Sequence, residues 1–134
     1  MIFLDSSFVI SLAVETDQNH ERALEVQEKV LKNEFGSVVL SDYVFDEVIT
    51  IIFGKTKNID KTIFVGENLK NSLTTVHINH DLFEESWKLF KNQKNTKFSF
   101  TDCSILAVME KENIKNIATF DGDFKKVKGI NVVD

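Results

Sequence analysis

The stretch MIFLDSS, residues 1–7, decides how the rest of the chain is read. Ile2, Phe3 and Leu4 form a short apolar run of the kind that makes a core strand. The run stops on the carboxylate of Asp5, and the hydroxyls of Ser6 and Ser7 follow. In open α/β sheets, ligands bind beyond the carboxyl ends of the strands. A second strand-like run, Asn116 to Phe120, stops in the same way on Asp121. Two separate strands therefore deliver a carboxylate to one edge of a sheet.

Further short, β-branched segments are expected as strands at Ser37–Leu40, Thr75–Ile78 and Ile130–Val133, beside Ile2–Leu4 and Asn116–Thr119. Longer patterns with helical spacing separate them: Ser7–Val14, Asn19–Lys32, Asp42–Phe53, Lys61–Ser72, Asp81–Asn92 and Asp102–Glu112, the last expected to be capped by Thr101. A short helical turn is expected over Gly122–Lys126. Strands alternating with helices predict an α/β fold, a parallel sheet with helices on both faces.

Two helices repeat the theme of misplaced acids. Glu47 falls within the apolar stripe Val44, Val48, Ile51 and Ile52. Asp102 precedes Ile105, Leu106 and Met109 on another stripe. A charge facing a core costs several kcal/mol unless it is paired or bound to a cation. Basic partners are scarce: Arg22 is the single arginine, and the lysines crowd on segments that read as exposed. Asp5, Glu47, Asp102 and Asp121 are thus candidates for one acidic pocket. A hard divalent cation with oxygen ligands, such as Mg2+, would offset their repulsion. Each acid also has a local explanation. Asp5 suits a helix cap, Asp121 in Asp121-Gly122-Asp123 suits a turn, and Asp102 suits the first turn of a helix. Glu47, mid-helix, has no capping role.

The remaining composition narrows the choices. The chain has 134 residues, enough for a single domain over 1–134, and a formal net charge of -5, which excludes a generally basic, DNA-coating surface. One cysteine, Cys103, leaves no intrachain disulfide and no zinc spacing, and it reads as a small buried hydrophobe in a reducing, cytoplasmic setting. No basic-then-apolar leader precedes Ile2, and no apolar run approaches the roughly 20 residues of a membrane helix. There is no GxGxxG and no P-loop. His77 and His80 straddle an expected strand end and helix start, the wrong spacing for a shared metal. Phe98 and Phe100 read as core. Lys91, Lys94 and Lys97 lead into the Asp102 motif, and Lys125, Lys126 and Lys128 follow Asp121, as candidate phosphate contacts.

The stretches FLDSS, SDYVFDEVITII, FSFTDCSILAVMEK and IATFDGDFKKV, in this order, resemble the PIN-domain family of metal-dependent nucleases. Size and layout resemble the VapC-type toxins of prokaryotic toxin–antitoxin pairs. The resemblance implies a three-layer α/β/α fold with a five-stranded parallel sheet, and Mg2+ or Mn2+ as cofactor. It also implies single-stranded RNA as substrate, a homodimer, and a small antitoxin protein as partner. Asp5, Glu47, Asp102 and Asp121 match the family's acidic quartet. Ser6 matches a hydroxyl that follows the first acid, Thr119 one that precedes the last, and Asp123 an additional acid of some members. The position of Ser7 is frequently Asn in the family.

Other functions compete. A PIN-type nuclease in RNA processing needs no antitoxin, and a PIN-like fold used only for binding needs no intact quartet. A phosphohydrolase of the haloacid dehalogenase type also ends its first strand on Asp. It requires a second Asp two positions later, where this chain has Ser7. A phosphoacceptor receiver module requires an acidic pair near the first strand, which Asp5 lacks.

Overall fold

The computed structural model describes all residues 1–134. Five strands form one sheet: β1 Ile2–Leu4, β2 Val38–Ser41, β3 Thr74–Val76, β4 Asn116–Ala118 and β5 Asn131–Val133. Their order is β3-β2-β1-β4-β5, and every neighbouring pair is parallel. Six helices connect them: α1 Ser6–Ala13, α2 His20–Leu31, α3 Asp42–Thr56, α4 Ile59–Ser72, α5 His80–Asn92 and α6 Phe100–Lys111. The architecture is three-layer α/β/α, as expected. A single 3₁₀ turn at Gly122–Lys126 precedes β5.

The central strand β1 is buried along its whole length, which is why it carries only hydrocarbon until Asp5. Ile2 and Phe3 pair with Val38 and Val39 on one side, and Phe3 and Leu4 with Ile117 and Ala118 on the other. Val44, Val48 and Ile52 of α3 bury one stripe completely, and Ile105, Val108 and Met109 do the same from α6. α5 lies along α6, and α2 along α1. No helix is long and apolar enough to cross a membrane.

All strands run the same way, so their carboxyl ends share one edge. The residues that follow them are Asp5, Asp42, His77, Thr119 and Asp134. Element boundaries depart from the sequence expectation by one to three residues, as hydrogen bonding at caps decides them. β2 ends on Ser41, and not Leu40, because its hydroxyl accepts the Val44 N–H as the cap of α3. α6 begins two residues before Asp102. Ser99, not Thr101, caps it, with Ser99 Oγ accepting from Asp102 N–H and the Asp102 carboxylate accepting from Ser99 N–H.

That reciprocal cap generates a measurable distinction. Ser99→Ala should lower unfolding free energy by about 1 kcal/mol. Thr101→Ala should change it by less than about 0.5 kcal/mol, since its hydroxyl caps nothing. Urea denaturation of the two variants checks this ordering.

Candidate metal centre

Asp5 is the N-cap of α1 and is 2 % exposed. Its Oδ1 accepts the Ser6 N–H at 2.7 Å. Its Oδ2 accepts Ser7 Oγ–H at 2.6 Å and Thr119 Oγ1–H at 2.7 Å. The two hydroxyls donate to Asp5 and accept from the loop after β4. Ser7 Oγ accepts the Phe120 N–H at 3.0 Å, and Thr119 Oγ1 accepts the Asp121 N–H at 3.0 Å. The buried charge is thereby satisfied by three donors, and the segment bearing Asp121 is fastened to it.

Glu47 and Asp102 reach the same edge from helices α3 and α6. Burial pushes the Glu47 carboxyl above its ordinary value, with the charges of Asp5 and Asp46 adding to it and the Ser6 hydroxyl opposing it. Burial also raises Asp102, to about 6, opposed by the Ser99 hydrogen bonds and reinforced by the charges of Asp5 and Asp121. The repulsions join the quartet: Asp5 acts on Glu47 and Asp102, and Asp121 acts on Asp102. None of these four carboxylates has a lysine, arginine or histidine ion pair.

Each local explanation is also realised. Asp5 caps α1, Asp102 closes the capping box of α6, and Asp121 Oδ1 accepts the Asp123 N–H at 2.9 Å in the turn. With the carboxylates engaged in this way, no three His, Cys, Asp or Glu side chains converge closely enough to hold a metal ion together. The donor chemistry nevertheless suits a hard divalent cation: oxygen ligands only, half-buried or buried, and without cationic partners. Glu47 alone among them serves no cap.

Asp123 stands apart from the quartet. It accepts the Lys97 N–H at 2.7 Å and pairs with Lys126 at 2.5 Å, and these contacts hold its carboxyl below its ordinary value. It clamps the segment before α6 to the turn after β4. Ser6 gives its N–H to Asp5 at 2.7 Å, while its hydroxyl, 3.4 Å from the same oxygen, also acts on the Glu47 carboxyl. Ser7 carries more of the organisation than its sequence position suggested. Local sequence pattern holds no signal for it, because its partners beyond Asp5 are 112 and 113 residues away.

Among the other candidates, Phe98 is buried against Phe124, with centroids 4.9 Å apart. Phe100 joins Tyr43, Phe83 and Phe90 in an aromatic cluster. Cys103 is buried, and burial raises its thiol to about 11. His77 lies against Asp42 at 3.2 Å on the exposed surface. Lys125 and Lys126 are occupied by Asp134 and Asp123.

With fold and edge defined, the class is clear: the chain belongs to the PIN-domain family, whose model matches residues 2–130. Within it, the chain resembles the VapC-type toxin ribonucleases. It is 27 % identical over 132 residues, 98 % of both chains, to the 23S rRNA-specific endonuclease VapC20 of Mycobacterium tuberculosis. The crystal structure of that protein, described as a Sarcin-Ricin loop cleaving toxin, superposes with a TM-score of 0.85 at 26 % identity over the whole of both chains. VapBC-1 from nontypeable Haemophilus influenzae shares the fold, with a TM-score of 0.70 at 20 % identity, covering 100 % of this chain and 98 % of that one.

The raised Asp102 carboxyl predicts a pH dependence. Its folded value, about 6, lies above the ordinary 3.8, so the folded protein holds this proton more tightly than the unfolded chain. The group favours folding most below pH 4, and that contribution is lost as pH rises from about 4 through 6. With solvent screening allowed for, the loss is about 1–2 kcal/mol. In EDTA, Asp102→Asn should melt several degrees higher than wild type at neutral pH and show no such gain near pH 4. Thermal melts across pH check it, and an equal effect at both ends would contradict it.

Proposed function

We propose that this chain is a metal-dependent endoribonuclease that cleaves single-stranded RNA as the toxin of a toxin–antitoxin pair. Residues 1–134 act as a single PIN-like nuclease domain working in the cytoplasm as a homodimer, with a small antitoxin protein as its inhibitor. The observation that carries the reading is the quartet Asp5, Glu47, Asp102 and Asp121, none with a cationic partner, in which the charge of Asp5 acts on Glu47 and Asp102 and that of Asp121 on Asp102. The family membership and the likeness to VapC20, named as a 23S rRNA-specific endonuclease, support it.

Asp5, Asp102, Asp121 and Glu47 would hold Mg2+ or Mn2+. A divalent cation there supplies charge stabilisation at the scissile phosphate and a more acidic water. Asp5 is the fixed member, since its hydrogen bonds prevent it from turning away. The carboxylate of Glu47 or Asp121 would orient the attacking water. Ser7 and Thr119 keep Asp121 in register with Asp5. In-line attack by water leaves a 5′-phosphate and a 3′-hydroxyl and makes no use of the RNA 2′-hydroxyl.

The test is RNA cleavage with Mg2+ or Mn2+ and with EDTA. Wild type should cut only with metal. Asp5→Asn and Asp102→Asn should each lose about 100-fold or more, the scale of several kcal/mol of lost charge stabilisation. Full activity of either variant with metal removed would end the proposal. Growth arrest on expression, relieved by Asp5→Asn, would distinguish the toxin role from RNA processing.

A further inference from the structure

Arg22 is the single arginine of the chain, and the fold carries it to the acidic edge. It sits in the first turn of α2, with its guanidinium carbon 5.3 Å from the centroid of the Phe120 ring. Phe120 lies between Thr119 and Asp121, and its N–H is bonded to the same Ser7 hydroxyl that donates to Asp5. The guanidinium also meets Asp134, at 3.4 Å. Asp134 follows β5, and the register Leu4, Ala118, Val133 sets it two strands from Asp5, about 10 Å across the edge. Lys125 approaches the same carboxylate oxygen at 2.5 Å. Both cations thus meet the same side-chain oxygen of Asp134, at the strand-end edge that carries Asp5.

We propose that Arg22 anchors a backbone phosphate of the single-stranded RNA next to the one that is cut. This rests on the nuclease reading above. An edge lined with acids repels a polyanion, so a nuclease of net charge -5 needs a local cation to seat its substrate. A guanidinium suits that role because it is planar, always charged, and able to present two parallel N–H donors to a phosphate. The guanidinium lies over the Phe120 ring, while the side chain stays 53 % exposed. Lys126 cannot substitute, since Asp123 and the Asn95 carbonyl hold its ammonium. A purely structural role explains less, because an exposed ion pair of this kind adds little stability.

The experiment measures binding of a fluorescein-labelled single-stranded RNA of mixed sequence by anisotropy over a salt series. It uses Asp5→Asn protein to prevent cleavage, and wild type in EDTA as a second background. Arg22→Ala and Arg22→Gln should bind about tenfold more weakly at low salt. Their plot of log affinity against log salt should be shallower by about 0.7, one lost phosphate contact. Asp134→Asn should bind several-fold more tightly, because it releases the Arg22 guanidinium, an effect that loss of a structural ion pair would not produce. Unchanged affinity and slope in both Arg22 variants would overturn the proposal, as would weakening by Asp134→Asn or no RNA binding in either background. If wild type cuts RNA while the Arg22 variants bind normally, the anchor alone has failed. If binding depends on Arg22 but no metal supports cleavage, the nuclease reading alone has failed.

Discussion

The carboxylate of Asp5 lies at the end of the central strand, 2 % exposed, and takes three hydrogen bonds within 2.7 Å. A buried charge is tolerable only when its oxygens are fully engaged. Here the engagement does more than remove a penalty. Two of the donors are hydroxyls, and a hydroxyl that has given its proton still has lone pairs to offer. Ser7 and Thr119 direct theirs to the N–H groups of Phe120 and Asp121. The first and last acids of the edge are therefore positioned by one small network that joins the two ends of the chain.

Around that fixed point, the other carboxylates are held under electrostatic tension. Asp102 and Glu47 carry raised carboxyls because they are partly stripped of water and face Asp5 and Asp121 or Asp46. Asp123 shows what the same chain does with an acid meant for structure: Lys126 and a backbone N–H surround it, and the carboxyl falls below its ordinary value. Asp121, two residues before Asp123, has no such lysine partner. The sheet edge keeps four charges unpaired while cations collect at its flank, around Asp134.

Much of this was legible in residue order. The strand β1 and its terminal Asp5 follow from three apolar residues meeting a carboxylate, and Glu47 stands out because an acid interrupts the buried stripe of Val44, Val48 and Ile52. The five strands and six helices follow from alternating periods, with errors confined to their ends. Those errors have a cause: capping depends on which hydroxyl reaches which N–H, so Ser99 displaced Thr101 as the start of α6. Ser7 was illegible for a different reason. Its importance lies in contacts with Thr119 and Phe120, more than a hundred residues away, and local pattern carries no trace of such pairs. The dual use of Asp5, Asp102 and Asp121 as caps and as candidate ligands was visible as two competing explanations. The structure realises the caps, and the burial and repulsion remain as features that capping alone does not require.

Metal binding at the quartet is the central claim, and one measurement addresses it most directly. A crystal soaked in Mn2+ and read for anomalous scattering locates the ion without reference to activity. The expected result is a peak at roughly 2.0–2.3 Å from carboxylate oxygens of Asp5 and at least one of Glu47, Asp102 and Asp121, with the remaining acids reached through water. An edge free of anomalous signal at saturating Mn2+, or a peak confined to surface acids such as Glu28 or Glu67, would contradict it.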